Sequence, residues 1–327
     1  MLNNKTILLT GAAGSFGTKF IEVALRDYNV KSLRAFDISE IGLVNLRRKF
    51  QNNPKLRYFI GDVRDHRRLM RATADVDIVI HAAALKHVGI CEYNPIEAVK
   101  TNVEGAIDVV DATISNGVEK VINISTDKAA YPVNLYGAVK MVAEKIFIQG
   151  NAYTPEQGHQ GRTILSCTRY GNVVGSSGSV VPLFKEQAKQ GKITITHKDM
   201  TRFWIELEEG VKFVIECLKE MKGGEIFVPK IPSMKIMDLA QVICPDVEKE
   251  ITGIRPGEKI NETLITKEEA RHTKDMGKYF VIEPEFPFWI EDKVNQGKAL
   301  PDDFTYSSDN NPNWLSPDQL KEIIDRC

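Results

Sequence analysis

The chain opens on a short apolar run, Thr6–Thr10, stopped by Gly11, as expected of a strand buried on both faces of a parallel sheet. Comparable runs recur at Leu33–Phe36, at Phe59–Ile60, at Ile78–His81, at Val121–Ile124 and from Arg162 to Arg169. Segments with helical apolar spacing lie between them: one from Gly11–Gly17 to about Arg26, one bearing Arg47 and Arg48, and one starting at Asp65. Two longer ones run from Asn94 to Asn116 and from Asn134 to Ile148. Strands alternating with helices predict an α/β fold with a doubly wound parallel sheet over residues 1–175. The Gly158–Gly161 stretch reads as a polar loop, not a boundary.

Beyond residue 175 the pattern loosens. A Gly/Ser run leads into a helix over Val181–Gln190, then a strand over Ile193–Thr196 and a polar loop over Lys198–Arg202. A helix over Glu206–Met221 and a strand over Glu225–Val228 follow, so residues 206–230 are expected to return to the main sheet. The rest of 176–327 reads as a smaller mixed α/β domain for binding a substrate, with a rigid turn at Ile254–Lys259 and a short helix after Trp314.

The first strand runs into Gly11-Ala-Ala-Gly14-Ser15-Phe16-Gly17, which marks a Rossmann-type dinucleotide site. Gly11 suits the tight turn, Gly14 a close backbone approach to a pyrophosphate, and Gly17 close packing of helix on sheet. The helix N-terminus then offers unpaired N–H groups to the phosphates. Asp37, about twenty residues beyond the last glycine, is placed to accept hydrogen bonds from the adenosine ribose and to repel a 2′-phosphate. That favours NAD, with NADP open as the alternative. Asp62 and Val63 are placed to meet the adenine, and Ala82, Ala83 and Ala84 leave room for ligand at a strand end. Lys86 and His87 follow in a loop and are read as substrate contacts or structural residues, with a catalytic role as the alternative.

The densest chemistry is Ser125-Thr126-Asp127-Lys128 followed by Tyr136 and Lys140. Tyr136 and Lys140 stand four apart on one helix face, where an ammonium can stabilise a phenolate and make it a base. Arg202 and Arg255, both read as loop residues, are what a diphosphate clamp needs.

Composition adds mainly exclusions. The net charge of -1 gives no electrostatic reason to expect nucleic acid or an anionic membrane as partner. Five scattered cysteines without Cys-x-x-Cys spacing argue for a reducing compartment and against a metal site. The polar Met1–Lys5 start is unlike a signal peptide, and no apolar stretch nears the ~20 residues of a membrane span. A cytoplasmic protein is expected. The two long helices carry more apolar residues than one buried stripe requires, which predicts a homo-oligomer.

These motifs together resemble the extended short-chain dehydrogenase/reductases, and among them the inverting UDP-N-acetylglucosamine 4,6-dehydratases. The resemblance runs through residues 10–17, 58–65, 81–88, 125–140 and 168–176, and on through 200–205, 223–236 and 254–259. It implies a hydro-lyase in which Asp127, Lys128 and Tyr136 react, Thr126 assists and Lys140 modulates the tyrosine. It also implies a tightly held NAD(P), and a UDP-N-acetylglucosamine site that includes Asn172, Arg202, Arg255 and Glu258. Retaining dehydratases have Asp-Glu where this chain has Asp127-Lys128. Lys128 is therefore expected to be the base, provided it is kept neutral. A UDP-sugar 4-epimerase, which needs neither Asp127 nor Lys128, is the alternative, followed by a non-catalytic dinucleotide sensor.

Overall fold

A computed structural model describes residues 1–154, 162–175, 180–287, 289 and 296–326. Gly158–Gly161 and Ser176–Ser179 lie outside the described residues. The alternation read from the sequence is realised as β1 (Thr6–Thr10), α1 (Ser15–Asp27), β2 (Ser32–Asp37), α2 (Glu40–Lys49), β3 (Leu56–Ile60), α3 (His66–Thr73) and β4 (Ile78–His81). Next come α4 (Val88–Tyr93), α5 (Pro95–Val99), α6 (Gly105–Ser115), β5 (Lys120–Thr126), α7 (Leu135–Gly150) and β6 (Ile164–Tyr170).

Asn94–Asn116 is not one helix. Pro95 starts α5 afresh, as suits a residue without an N–H. A π-turn over Lys100–Glu104 then separates α5 from α6. The buried Asn102 in that turn accepts from Leu85 N and donates to Leu85 O, both at 2.8 Å. The irregularity thereby pins the loop that leaves β4, a use of π-turns common beside functional sites.

The later elements are β7 (Asn172–Val173), α8 (Val180–Ala188), β8 (Lys192–Ile195), β9 (Thr201–Ile205), α9 (Leu207–Glu220), β10 (Ile226–Pro229), β11 (Ser233–Lys235) and α10 (Ile236–Ile243). They continue with β12 (Glu248–Ile251), β13 (Thr263–Ile265), α11 (Lys267–Ala270), β14 (Thr273–Asp275), β15 (Tyr279–Ile282), β16 (Lys298–Ala299), β17 (Tyr306–Ser307) and α12 (Pro317–Asp325). The main sheet has ten strands in the order β16-β14-β15-β10-β6-β5-β4-β1-β2-β3. The run from β10 to β3 is parallel, and β15, β14 and β16 extend it antiparallel. The doubly wound expectation therefore holds, with an antiparallel extension from beyond residue 230.

Two hydrophobic cores result. One fills both faces of the main sheet; the other gathers Phe184, Ile193, Trp204, Leu239 and Leu320 from α8, β8, β9, α10 and α12. Strand β9 serves both, because alternate residues face opposite ways: Phe203 enters the first core and Trp204 the second. Order switches on either side of β1, where the chain leaves toward β2 in one direction and β4 in the other. A cleft of about 1060 Å³ opens there, outside the carboxyl ends of the strands.

Candidate active site

One end of the cleft is made largely of backbone. Gly11 has φ +67°, and a Cβ on it would lie 2.8 Å from Ala83 N. A Cβ on Gly17 would lie 2.5 Å from Gly11 O, so α1 packs close beneath the loop. Gly14 caps α1 without a side-chain bond, which leaves the helix start open toward the cleft lined by Gly14, Ser15 and Phe16. Asp37 anchors this loop: its carboxylate accepts from Ala13 N and from Ser39 N, each at 2.9 Å. At the far side Asp62 accepts from Arg64 Nη2 at 2.7 Å, and Arg64 reaches on to Glu97 at 2.6 Å. Val63 lines the wall beside them. Arg47 and Arg48 do not line the cleft; Arg47 donates to Asn52 instead.

Strand β4 delivers Ala82, Ala83 and Ala84 to the middle of the cleft. Their placement rests on Thr10, whose hydroxyl accepts from Ala82 N (3.2 Å) and Ala83 N (3.3 Å) and donates to His81 Nδ1 at 2.9 Å. Burial, with some help from nearby Lys140, pushes the His81 imidazole down to about 3, so it is neutral; with Thr10 Oγ1 already accepting from two N–H groups, its own proton is the one directed at Nδ1. The sequence reading passed over His81 and Thr10; only their place at strand ends could have drawn attention to them.

The other end is made of charge. Strand β5 ends at Thr126, and the chain turns through one 3₁₀ turn, Asp127–Ala129. Thr126 donates to Asp127 Oδ1 at 2.9 Å, and Lys128 Nζ donates to the same oxygen at 3.0 Å. On its other side Lys128 Nζ lies 3.2 Å from Glu262 Oε1. Asn134 caps α7 by accepting from Gly137 N, which sets the first turn carrying Tyr136 against this cluster. Lys140, buried one turn later, donates to Ile124 O at 2.7 Å.

Burial raises the carboxyl of Asp127 despite the nearby Lys128. Burial alone would lower Lys128, but Asp127 and Glu262 outweigh it and hold the ammonium above its ordinary range. This corrects the expectation of a neutral Lys128. Tyr136 is likewise pushed by burial up to about 12, and the groups that pull it back are Lys128 and the Thr126 hydroxyl. Lys140 is itself drawn down by burial to about 8.

The residues expected to touch substrate separate. Lys86 and Asn172 line the cleft, Lys86 with its ammonium lowered by burial, Asn172 with a buried, unpaired Oδ1. Arg202 is not on a loop but on β9, because Lys198–Arg202 is cut short by the strand that pairs with β11. Its buried guanidinium donates to the carbonyls of Thr201, Ile260 and Lys259. Glu258 lies 3.7 Å from it and also accepts from Arg255 N. Arg255 itself is exposed and does not line the cleft. Glu262, only 2% exposed, is the residue the sequence reading missed. Nothing around Asn261-Glu262-Thr263 distinguishes it from a surface acid. Among the described residues no group of His, Cys, Asp and Glu could hold a metal, and no helix is long and apolar enough to cross a membrane.

Comparison with known proteins bears on this arrangement. The chain is 48% identical to a protein of Campylobacter jejuni named UDP-N-acetylglucosamine 4,6-dehydratase (inverting), over 99% of this chain and 98% of that one. It is 41% identical to a protein of Rickettsia felis named UDP-glucose 4-epimerase, over 86% of this chain and 84% of that one. The solved structure of Pen from Bacillus thuringiensis superposes with a TM-score of 0.89 at 34% identity, covering 100% of this chain and 98% of that one. The family described as polysaccharide biosynthesis protein matches residues 7–284. With most of its length in that match, and its resemblance to the dehydratases borne out, the chain belongs to the polysaccharide biosynthesis protein family.

Proposed function

We propose that this chain is a hydro-lyase, a UDP-N-acetylglucosamine 4,6-dehydratase that inverts C5. The observation that carries the reading is the Asp127–Lys128 contact at 3.0 Å beside Tyr136, on the wall of a cleft whose other end is a glycine loop. The whole-length relation to the Campylobacter jejuni dehydratase supports it.

The glycine cradle, the open start of α1 and Asp37 fit NAD, held tightly and regenerated in each cycle. Gly11, Gly14, Ser15, Phe16 and Gly17 would hold its pyrophosphate, Asp37 its ribose, and Asp62 and Val63 its adenine. When bound, the dinucleotide supplies a hydride acceptor at C4 and a hydride donor at C6.

The proton transfers fall to the protein. Tyr136, reacting as the phenolate with the Thr126 hydroxyl beside it and Lys140 one helix turn on, takes the proton of the sugar 4-hydroxyl. The ketone so formed acidifies C5–H, and Lys128 as free amine takes that proton. The C6–O bond breaks as Asp127 gives its proton to the departing hydroxyl, which leaves as water. Delivery of the Tyr136 proton to the opposite face of C5 inverts that centre, and Lys128 returns its proton to Asp127 across 3.0 Å. All three groups are then restored with no net proton gained or lost.

Lys86 and Asn172 are proposed to meet the sugar within the cleft, and Arg255, on its exposed turn, to meet the diphosphate. Arg202 and Glu258 would support that turn from behind. We assign substrate binding mainly to residues 176–327 and dinucleotide binding to 1–175 with 206–230.

An epimerase on the same fold is the second reading, favoured by the Rickettsia felis relative. It would leave the buried Asp127–Lys128–Glu262 cluster without a task, although desolvating such charges is costly. Incubation with UDP-N-acetylglucosamine and no added cofactor, followed by mass spectrometry, decides between them: loss of one water supports dehydration, and an isomer of unchanged mass refutes it. We also propose a homo-oligomer through α4, α5 and α7, where Ile90, Tyr93, Ile96 and Val142 are exposed. A monomeric mass by light scattering at micromolar concentration would refute that.

A further inference from the structure

The proposed reaction leaves a question about Lys128. It must act as a free amine, yet two carboxylates flank it, and only one of them can be the acid that gives its proton to the leaving hydroxyl. Their surroundings differ. Asp127 is 1% exposed and meets a single cation, Lys128, at 3.0 Å. Glu262 meets three: Lys128 at 3.2 Å, Lys259 at 3.7 Å and Arg202 at 3.9 Å.

Those cations are fixed from behind. Lys259 donates to Ala130 O at 2.6 Å, and Arg202 is tied to three backbone carbonyls. They cannot turn away from Glu262 without giving up these bonds. The groups facing Lys128 from all sides are thus Asp127 from its own turn, Tyr136 from α7, Arg202 from β9, and Lys259 and Glu262 from the segment before β13.

We infer that Glu262 is a positioning residue that stays ionised throughout the cycle, holds Lys128 Nζ in place, and leaves Asp127 as the carboxyl that exchanges a proton with it. This deepens the dehydratase reading and rests on it. While the shared proton is on Lys128, between turnovers of the sugar, the ammonium faces both carboxylates, at 3.0 Å from Asp127 and 3.2 Å from Glu262. When its proton moves to Asp127, the lone pair is left where that N–H was, and a turn of the amine about its Cε–Nζ bond carries the lone pair to the sugar while bringing an N–H back to Glu262 Oε1. The exchange balances: the N–H bond of Lys128 breaks, an O–H bond forms on Asp127, and no other donor or acceptor takes part. The directions of the shifts agree. Burial would raise both carboxyls, but Lys128, Arg202 and Lys259 bring Glu262 below its ordinary range, whereas Asp127 stays raised.

The test is the pH profile of water loss from UDP-N-acetylglucosamine, followed by mass spectrometry on the protein with its dinucleotide bound. Glu262→Gln keeps an oxygen acceptor but removes a negative charge beside Lys128. The limb on which rate rises with pH should move about one pH unit or more toward acid, with KM little changed. Glu262→Ala removes the acceptor as well and should lower kcat on the order of 10²-fold at every pH. Lys259→Met removes a cation facing the same cluster and should move the limb the opposite way. It also supplies a reading should the Glu262 variants fail to fold, which near-ultraviolet circular dichroism would detect.

Shifts of opposite sign support the assignment, because loosened packing would lower the rate without moving the limbs apart. Profiles of Glu262→Gln and Lys259→Met that overlay the unmodified protein would overturn it. If the unmodified protein itself removes no water, the dehydratase reading fails instead, a result distinct from overlaid profiles.

Discussion

The two ends of the cleft are built on opposite principles. At the glycine end, function rests on backbone: an open helix start, a loop that tolerates no Cβ at Gly11, and Asp37 bonded to two N–H groups. At the Lys128 end it rests on side-chain charge taken out of water, with Asp127, Lys128 and Glu262 packed within hydrogen-bonding or ion-pairing reach. Backbone dipoles hold a ligand of fixed charge and need not change state. Proton transfer needs groups whose charge is poised to change, and burial is what brings their proton affinities into competition.

The sharpest way to break this contrast is to remove charge at the Lys128 end and ask whether the glycine end still works. Lys128→Ala should stop water loss, at a cost on the order of 10²–10⁴-fold, while the absorbance of reduced nicotinamide still appears. Tyr136→Phe should cost as much but give no reduced nicotinamide, because the 4-hydroxyl proton has no acceptor. Water loss by Lys128→Ala at near the unmodified rate would remove the chemical basis of the contrast.

A second buried charge cluster serves as the control. Arg169, 2% exposed, pairs with Glu144 at 2.7 Å and Glu269 at 2.8 Å, joining β6, α7 and α11 away from the cleft lining. Arg169→Met strands two carboxylates and should cost about 3–5 kcal/mol of stability, seen in urea unfolding, while the folded fraction turns over normally. A loss of turnover without loss of stability would mean that burying charge does not separate structural from catalytic clusters here.

The neutral His81 between the two ends predicts a pH effect with a definite sign. Its imidazole is held at about 3 against an ordinary 6.5, so between those values the unfolded chain binds a proton that the folded protein does not. Stability should therefore fall as pH drops from about 6.5 toward 3, by up to roughly 1.4 kcal/mol per pH unit from this group. Thermal unfolding of His81→Gln should show a shallower acid slope than the unmodified protein; parallel slopes would refute the assignment.

The smallest expected effect is at the glycine end. Nucleotide extracted from the purified protein should be mainly NAD. Asp37→Ala should narrow the preference over NADP by about ten-fold, equivalent to ~1.4 kcal/mol. Mainly NADP from the unmodified protein would mean that Asp37 does not exclude a 2′-phosphate.

The glycine end was legible in advance because its parts are contiguous: strand, turn and helix follow within residues 6–27, and each glycine has a local reason. Thr126, Asp127, Lys128, Tyr136 and Lys140 were legible for the same reason, lying within fifteen residues on a strand end and one helix face. What misled was reading each segment alone. Asn94–Asn116 has unbroken helical spacing, yet Pro95 and the Asn102–Leu85 contact divide it. Arg202 looked like a loop cation until pairing of β9 with β11 buried it.

By itself, then, the chain's order of apolar runs and glycines determined the parallel sheet and which side chains gather at the strand ends, because these follow from spacing along a few dozen residues at most. Only the tertiary structure decided the proton states. Glu262 stands 134 positions beyond Lys128 and meets it because the segment before β13 folds back across the 3₁₀ turn. Charge–charge energies depend on distance and on exclusion of water, and neither is written in the local sequence. The same amine would be an ordinary surface lysine without that return of the chain.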